Sequence, residues 1–336
     1  MSGKALFSRR TALGGLLIAT GAAIGLPAVQ AANRPDRPEP RGPAPTRVAN
    51  PAAPGPYVTF AYQNELKKYL NTREGEQSIA MRVHGQRNIH VLNHGATHYI
   101  TASIIKLAIM ETVMIQAAGE KRQLSGTEKD LLVPMIENSS NDAATALWNR
   151  VGRADGVRRA MHRMGATHTA FDPDDHWGLT STTAPDQVVL ADHIFCPNKI
   201  IPESMRAYAR ELMSSVAEDQ DWGMTAGMRS PYVKNGWLPR DDGWHVNSVA
   251  STGTKGYTAV GLAHSTTAPM EDLVETIEGM ARIIARHQPR SVTTPPPPPS
   301  ARPTQTAAPA PQAVGDDHGH VPFRAPGTRD MWIQAF

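Results

Sequence analysis

The sequence predicts an α+β domain: a mostly antiparallel sheet built from both ends of the domain, flanked by helices, with an all-helical block inserted between the two halves. Three observations carry this. Strand-like runs occur near the start, at Ser78–Val83 and Ile89–Leu92, around the turn-prone His84-Gly85-Gln86. Helical patterns dominate from Ala102 to Val216. Strand patterns return at Tyr232–Leu238, Trp244–Ala250 and Tyr257–Ala263. Strands at both ends with helices between do not form a regular βαβ alternation, so the sheet must be closed across the insertion. A helix is also predicted from Val58 to Leu70, and a final amphipathic helix from Glu271 to Arg286.

The 336 residues divide by composition into four stretches. Residues 1–31 read as an export signal. A basic start is followed by an apolar run from Ala12 to Leu26, and Val29-Gln30-Ala31 offers the small residues of a cleavage site near Ala31. The pair Arg9-Arg10 predicts the twin-arginine route for already folded bacterial proteins, with a periplasmic, wall-associated or extracellular destination. Residues 32–55 are a Pro/Ala-rich linker, and 56–290 are the folded domain. Residues 291–336, opening on Pro295 to Pro299, are predicted to be disordered with polyproline II character. Within them Asp316-Asp317-His318-Gly319-His320 reads as a solvated charged patch.

Net charge is +3, and Lys4, Arg9 and Arg10 supply it. Without the signal, 31 basic residues face 31 acidic ones, which gives no electrostatic case for nucleic acid as a partner. The single cysteine, Cys196, follows an apolar run, cannot form an internal disulfide and reads as a buried structural thiol.

Three short motifs bear chemistry. In Ala102-Ser103-Ile104-Ile105-Lys106-Leu107-Ala108-Ile109-Met110, Ser103 and Lys106 are the polar exceptions on an apolar helix and share one face. A lysine in that setting loses the solvation of its charged form, so its free amine can act as a base. A serine at a helix start also places backbone N–H groups near a developing oxyanion. Ser139-Ser140-Asn141 lies between two helical runs, where a hydroxyl can relay a proton and an amide can bind a carbonyl, or where these residues simply cap a helix. Lys234-Asn235-Gly236 lies in a strand, where a lysine can attract an anionic substrate and a glycine lets substrate lie close, or where an edge lysine merely precedes a bend.

In order and spacing (36 and 95 residues between first positions), this set resembles the Ser-x-x-Lys, Ser-x-Asn and Lys-Thr-Gly motifs of class A β-lactamases and penicillin-binding proteins. The resemblance spans the 56–290 domain. It implies that Ser103 is the acylated nucleophile, Lys106 its base and Ser139 the proton relay to the leaving nitrogen. It further implies that Asn141 holds the substrate amide and Lys234 the substrate carboxylate. Backbone N–H groups of Ser103 and Trp237 would form the oxyanion hole.

The sequence departs from the family pattern in three places. Ser140 stands for an acid, and Asn235 for a hydroxyl residue that would hydrogen-bond substrate. The loop before Thr180-Ser181-Thr182-Thr183-Ala184-Pro185 has no glutamate from Gly165 to Leu179. Asp172, Asp174, Asp175 and His176 are the candidate deacylation bases there. The expectation is an exported monomeric serine hydrolase, using no metal or other cofactor, that acts on β-lactams or related amides and releases the acyl group slowly. A D,D-peptidase or transpeptidase on cell-wall peptides, or a non-catalytic wall-binding relative, is the alternative. The absence of a Gly-x-Ser-x-Gly elbow argues against a Ser-His-Asp esterase.

Overall fold

The computed structural model describes residues 55–93 and 99–288, with the short strand pairs 322–323 and 331–332. Signal, linker and most of the proline-rich tail lie outside the described residues. Among the described residues, eight strands belong to the domain: β1 (Tyr57–Val58), β2 (Glu76–Val83), β3 (Ile89–Leu92), β4 (Tyr99–Ile100), β5 (Ser181–Thr182), β6 (Tyr232–Arg240), β7 (Gly243–Ser251) and β8 (Tyr257–Ser265). Six form one sheet in the order β1-β3-β2-β8-β7-β6, antiparallel except where β1 runs parallel to β3. The two ends of the domain meet at β2 and β8, paired from Glu76↔His264 to Val83↔Tyr257.

The helix expected from Val58 begins later. Tyr57–Val58 are extended, and α1 spans Gln63–Leu70. The run Tyr57-Val58-Thr59-Phe60 is β-branched and aromatic, a composition that favours pleated backbone over helix. In the tail, predicted to lack structure, Pro322–Phe323 pairs antiparallel with Met331–Trp332, giving β9 and β10.

The central strands are buried on both faces. Val246, Ala250, Ala259 and Ala263 pack on one side in the cluster that holds Leu66, Leu70, Leu273 and Ile277. Those residues come from α1 and from α8 (Met270–His287), whose buried Leu273, Ile277, Met280 and Ile284 recur at helical spacing. Val249, Val260 and Leu262 pack on the other side against the helical block. That block comprises α2 (Ile105–Gly119), α3 (Gly126–Glu137), α4 (Asn141–Arg150), α5 (Arg153–Met164), α6 (Ala184–Phe195) and α7 (Glu203–Ser214).

Ala102–Gly119 is long and apolar enough to cross a membrane, yet it is the core helix, buried on nearly every side. Cys196 is buried at the end of α6, and burial pushes its thiol up to about 12, so it stays protonated.

Candidate active site

The nucleophile candidate is fixed from both sides of the sheet edge. Strand β4 pairs with β5, and Thr101 N donates to Thr180 O at 2.7 Å. Asn247 on β7, fully buried, donates through Nδ2 to Ile100 O (2.8 Å) and Thr101 O (3.2 Å). The chain then turns through Ala102, a buried non-glycine residue at φ +46°, into a 3-10 turn over Ala102–Ile104 that runs on into α2. A residue held at positive φ next to a reactive group is strain that the surrounding structure must enforce.

Gly236 explains how close β6 comes to this turn. A Cβ there would sit 2.6 Å from Ser103 N and 2.8 Å from Ile104 N, closer than any real carbon approaches. The sequence offers this glycine as room for substrate. In the structure it is room for the helix carrying Ser103, and it sets the strand segment bearing Trp237 beside the helix start.

Lys106 is buried, and four oxygens surround its Nζ: Ser103 Oγ (2.9 Å), Ser139 O (2.6 Å), Ser139 Oγ (3.1 Å) and Asn141 Oδ1 (2.8 Å). Two of them, the Ser139 carbonyl and the Asn141 amide oxygen, can only accept. A neutral amine has two N–H groups, which they occupy, and one lone pair, which is left for a hydroxyl proton. Burial, reinforced by the nearby charge of Lys234, pushes Lys106 down to about 6. At neutral pH the amine is therefore mostly free base, 2.9 Å from the oxygen whose proton it would take.

Lys234 is also buried. Its Nζ donates to Ser139 Oγ (3.0 Å) and Asn235 O (2.9 Å). Burial pushes it down to about 7, against the opposing pull of Asp219. Ser139 Oγ thus bridges the two lysines. The Ser139 backbone is left-handed (φ +57°), and Ser140 caps α4 by accepting from Ala143 N at 3.3 Å. Ser140 is the helix cap, while Ser139 and Asn141 turn toward Lys106.

Other candidates do not join this constellation. Asn235 is 1% exposed, and its Nδ2 donates to Gln220 O (2.8 Å) and Trp222 O (3.0 Å). Successive strand side chains alternate faces, so with Lys234 and Gly236 turned toward Ser103, Asn235 is turned the other way and braces a loop. The Trp237 ring, half-buried, meets Trp222 edge-on at 5.7 Å.

Three of the four candidate bases have side-chain partners elsewhere. Asp175 accepts from Ala154 N (3.2 Å) and Trp148 Nε1 (3.5 Å) and pairs with Arg153. Asp172 accepts from His176 N (3.1 Å), His176 Nδ1 (2.9 Å) and Asp174 N (3.1 Å). Burial raises the Asp172 pKa, but these hydrogen bonds outweigh it and hold the carboxyl below its usual range, which makes it a weak base. Asp174 and His176 are exposed.

The residue this loop sends to Lys106 is Trp177. It is buried, with its ring centroid 5.0 Å from Lys106 Nζ and its Nε1 donating to Thr145 Oγ1 at 3.2 Å. Trp177 and Asn247 lie outside the motifs that the sequence offers. The position of Trp177, two residues after the last acid of the loop, is its signal in the sequence.

The TLA-1 extended-spectrum β-lactamase superposes with a TM-score of 0.59 at 13% identity, covering 67% of this chain and 96% of that one. The class A β-lactamase of Bacteroides cellulosilyticus gives 0.57 at 12% identity, covering 67% and 95%. This chain has the fold of the class A β-lactamases. The β-lactamase of Streptosporangium roseum gives 0.56 at 14% identity, covering 67% and 97%. At such identities the β-lactamase fold is what the likeness conveys.

No protein-family model matches the sequence. Among curated proteins, the "Putative lipoprotein LppW" of Mycobacterium tuberculosis and of Mycobacterium bovis is 26% identical over 160 residues, 44% of this chain. The chain spans about half the length of these curated relatives.

Proposed function

We propose that this chain is a serine acyl-transferring enzyme that forms an ester at Ser103 with β-lactams or related cell-wall amides, and that releases the acyl group slowly. The observation that carries this reading is Lys106: a buried amine, held near neutrality, with its remaining lone pair available to the Ser103 hydroxyl.

In the proposed acylation, Ser103 Oγ attacks the amide carbonyl while its proton passes to Lys106 Nζ. Backbone N–H groups at the Ser103 helix start receive the oxyanion, and the N–H of Trp237 is the second donor. The proton then travels from Lys106 through Ser139 Oγ to the leaving nitrogen, and the C–N bond breaks. Charged Lys234 attracts the substrate carboxylate, and Asn141 orients the substrate amide.

Release needs a base beside an attacking water. Trp177 lies on the flank of Lys106, and the carboxylates of Asp172 and Asp175 are occupied by other donors. The same feature favours a second reading, transfer of the acyl group to an amine of a cell-wall peptide, because an amine needs less activation than water. Export from a bacterium is supported by the Arg9-Arg10 signal pattern and by the name "lipoprotein" that the mycobacterial relatives carry.

Labelling with a fluorescent penicillin tests the proposal. A covalent band in the parent chain and none in Ser103→Ala is expected. No band in either would overturn it in favour of a wall-binding protein.

A further inference from the structure

We propose that Asp242, His245 and His264 form a binding site for a divalent cation of the zinc type, separate from the acyl-transfer centre. The three residues come together through the sheet. His245 on β7 and His264 on β8 are direct cross-strand partners, and their rings stack at 4.3 Å with planes 15° apart. Asp242 lies in the β6–β7 turn. Gly243 keeps that turn pressed on β8: it sits at φ +108°, and a Cβ there would meet Ser265 O at 1.9 Å.

Donor spacing is close to that around a zinc ion, measured to the two oxygens of one carboxylate. Zinc bound to nitrogen and oxygen at about 2.0–2.2 Å has donors about 3.3–3.6 Å apart. His245 Nε2 stands 3.3 Å from Asp242 Oδ1, and His264 Nε2 3.7 Å from Asp242 Oδ2. All three ligand atoms lie within 4.8 Å of one another. Two imidazoles and one carboxylate suit zinc and leave a fourth position for water.

Two other clusters of similar composition lack these features. Around Asp192, His84 and Cys196, the Arg82 guanidinium already neutralises the carboxylate. In Asp172, Asp174 and His176, three N–H donors occupy Asp172 Oδ2.

The site should bind modestly. His264 Nε2 must give up a 2.9 Å hydrogen bond to Asp242 O, and His245 Nδ1 is buried with no acceptor among the described residues. Missing outer partners typically weaken metal affinity about 10–100-fold, so a dissociation constant on the order of micromolar is expected. A bound ion would join the β6–β7 turn to β8, two residues along β7 from Asn247, which holds the backbone ahead of Ser103. Its role is structural and supplies no step of acyl transfer.

The test uses the mature full-length chain stripped with EDTA and titrated calorimetrically with Zn²⁺, with Co²⁺ absorption reporting geometry. One ion per chain and a tetrahedral Co²⁺ spectrum are expected. Asp242→Asn and His264→Gln should each weaken binding about tenfold or more. His318→Ala/His320→Ala in the tail should leave binding unchanged, and penicillin labelling of Ser103 should be the same in every variant. Absence of Zn²⁺ binding, binding indifferent to both Asp242→Asn and His264→Gln, or binding abolished by the tail substitutions would each overturn the assignment.

Discussion

A lysine held neutral inside the fold costs stability, and Lys106→Met measures how much. Lys106 falls from an ordinary value of 10.5 to about 6. At pH 7 the unfolded chain carries the proton and the folded chain does not. The difference across roughly 3.5 pH units, at about 1.4 kcal/mol per unit, comes to about 5 kcal/mol. Methionine fills a similar volume without that cost, but it leaves Ser139 O and Asn141 Oδ1 without their donor, at about 1–2 kcal/mol each. A net gain of about 1–3 kcal/mol results, or a Tm rise of about 2–10 °C for a domain of this size.

The sign of the pH dependence is the sharper test. Between about pH 6 and 10.5 the unfolded wild type binds the extra proton, so wild-type stability rises with pH relative to the variant by about 1.4 kcal/mol per unit. The advantage of the variant should be clear at pH 6.5 and reverse by about pH 9. Urea denaturation of both proteins at pH 6.5, 7.5, 8.5 and 9 measures this. A stability difference that does not move with pH would mean that Lys106 keeps its proton in the fold, and the base mechanism would fail.

Three further outcomes follow from the same geometry. The acylation rate by a penicillin, followed by stopped flow, should rise through about pH 6 as Lys106 loses its proton and fall above about pH 7 as Lys234 loses its charge; esterifying the substrate carboxylate should remove the falling limb. Gly236→Ala should cut that rate by about 10² or more, because a Cβ 2.6 Å from Ser103 N must push the nucleophile out of line and about 1 Å of misplacement has that effect. Asn235→Ala should lower the unfolding free energy by about 2–4 kcal/mol, through two loop carbonyls left without a donor, while changing the apparent affinity for penicillin little; a large loss of affinity at unchanged stability would return Asn235 to the substrate site.

The sheet assembled from both ends was legible because its strands are pure local patterns, and Ser103 with Lys106 was legible because a lysine within an apolar helix has few structural uses. Alternation along β6 could have been applied further: once Lys234 faces the nucleophile, Gly236 must share its face and Asn235 cannot. What stayed hidden depends on contacts distant in sequence. Asn247 matters only because register sets it opposite Gly236 and beneath Thr101, 146 residues away. The loop before Thr180 is a different case. Its acids suggested bases, but Asp175 is drawn off by α5 and Asp172 by its own neighbours, so the side chain delivered to Lys106 is the tryptophan that follows them. The helix predicted from Val58 failed at its start because four β-favouring residues outweighed the helical period beyond them.

The central claim is a long-lived ester on Ser103, and intact-protein mass spectrometry over time tests it most directly. After the mature chain is mixed with benzylpenicillin, one adduct of the full penicillin mass should appear, map to the peptide containing Ser103, be absent in Ser103→Ala and persist for minutes after free drug is removed. An adduct that survives in Ser103→Ala, or rapid hydrolysis of the drug with no adduct at any time point, would contradict the account.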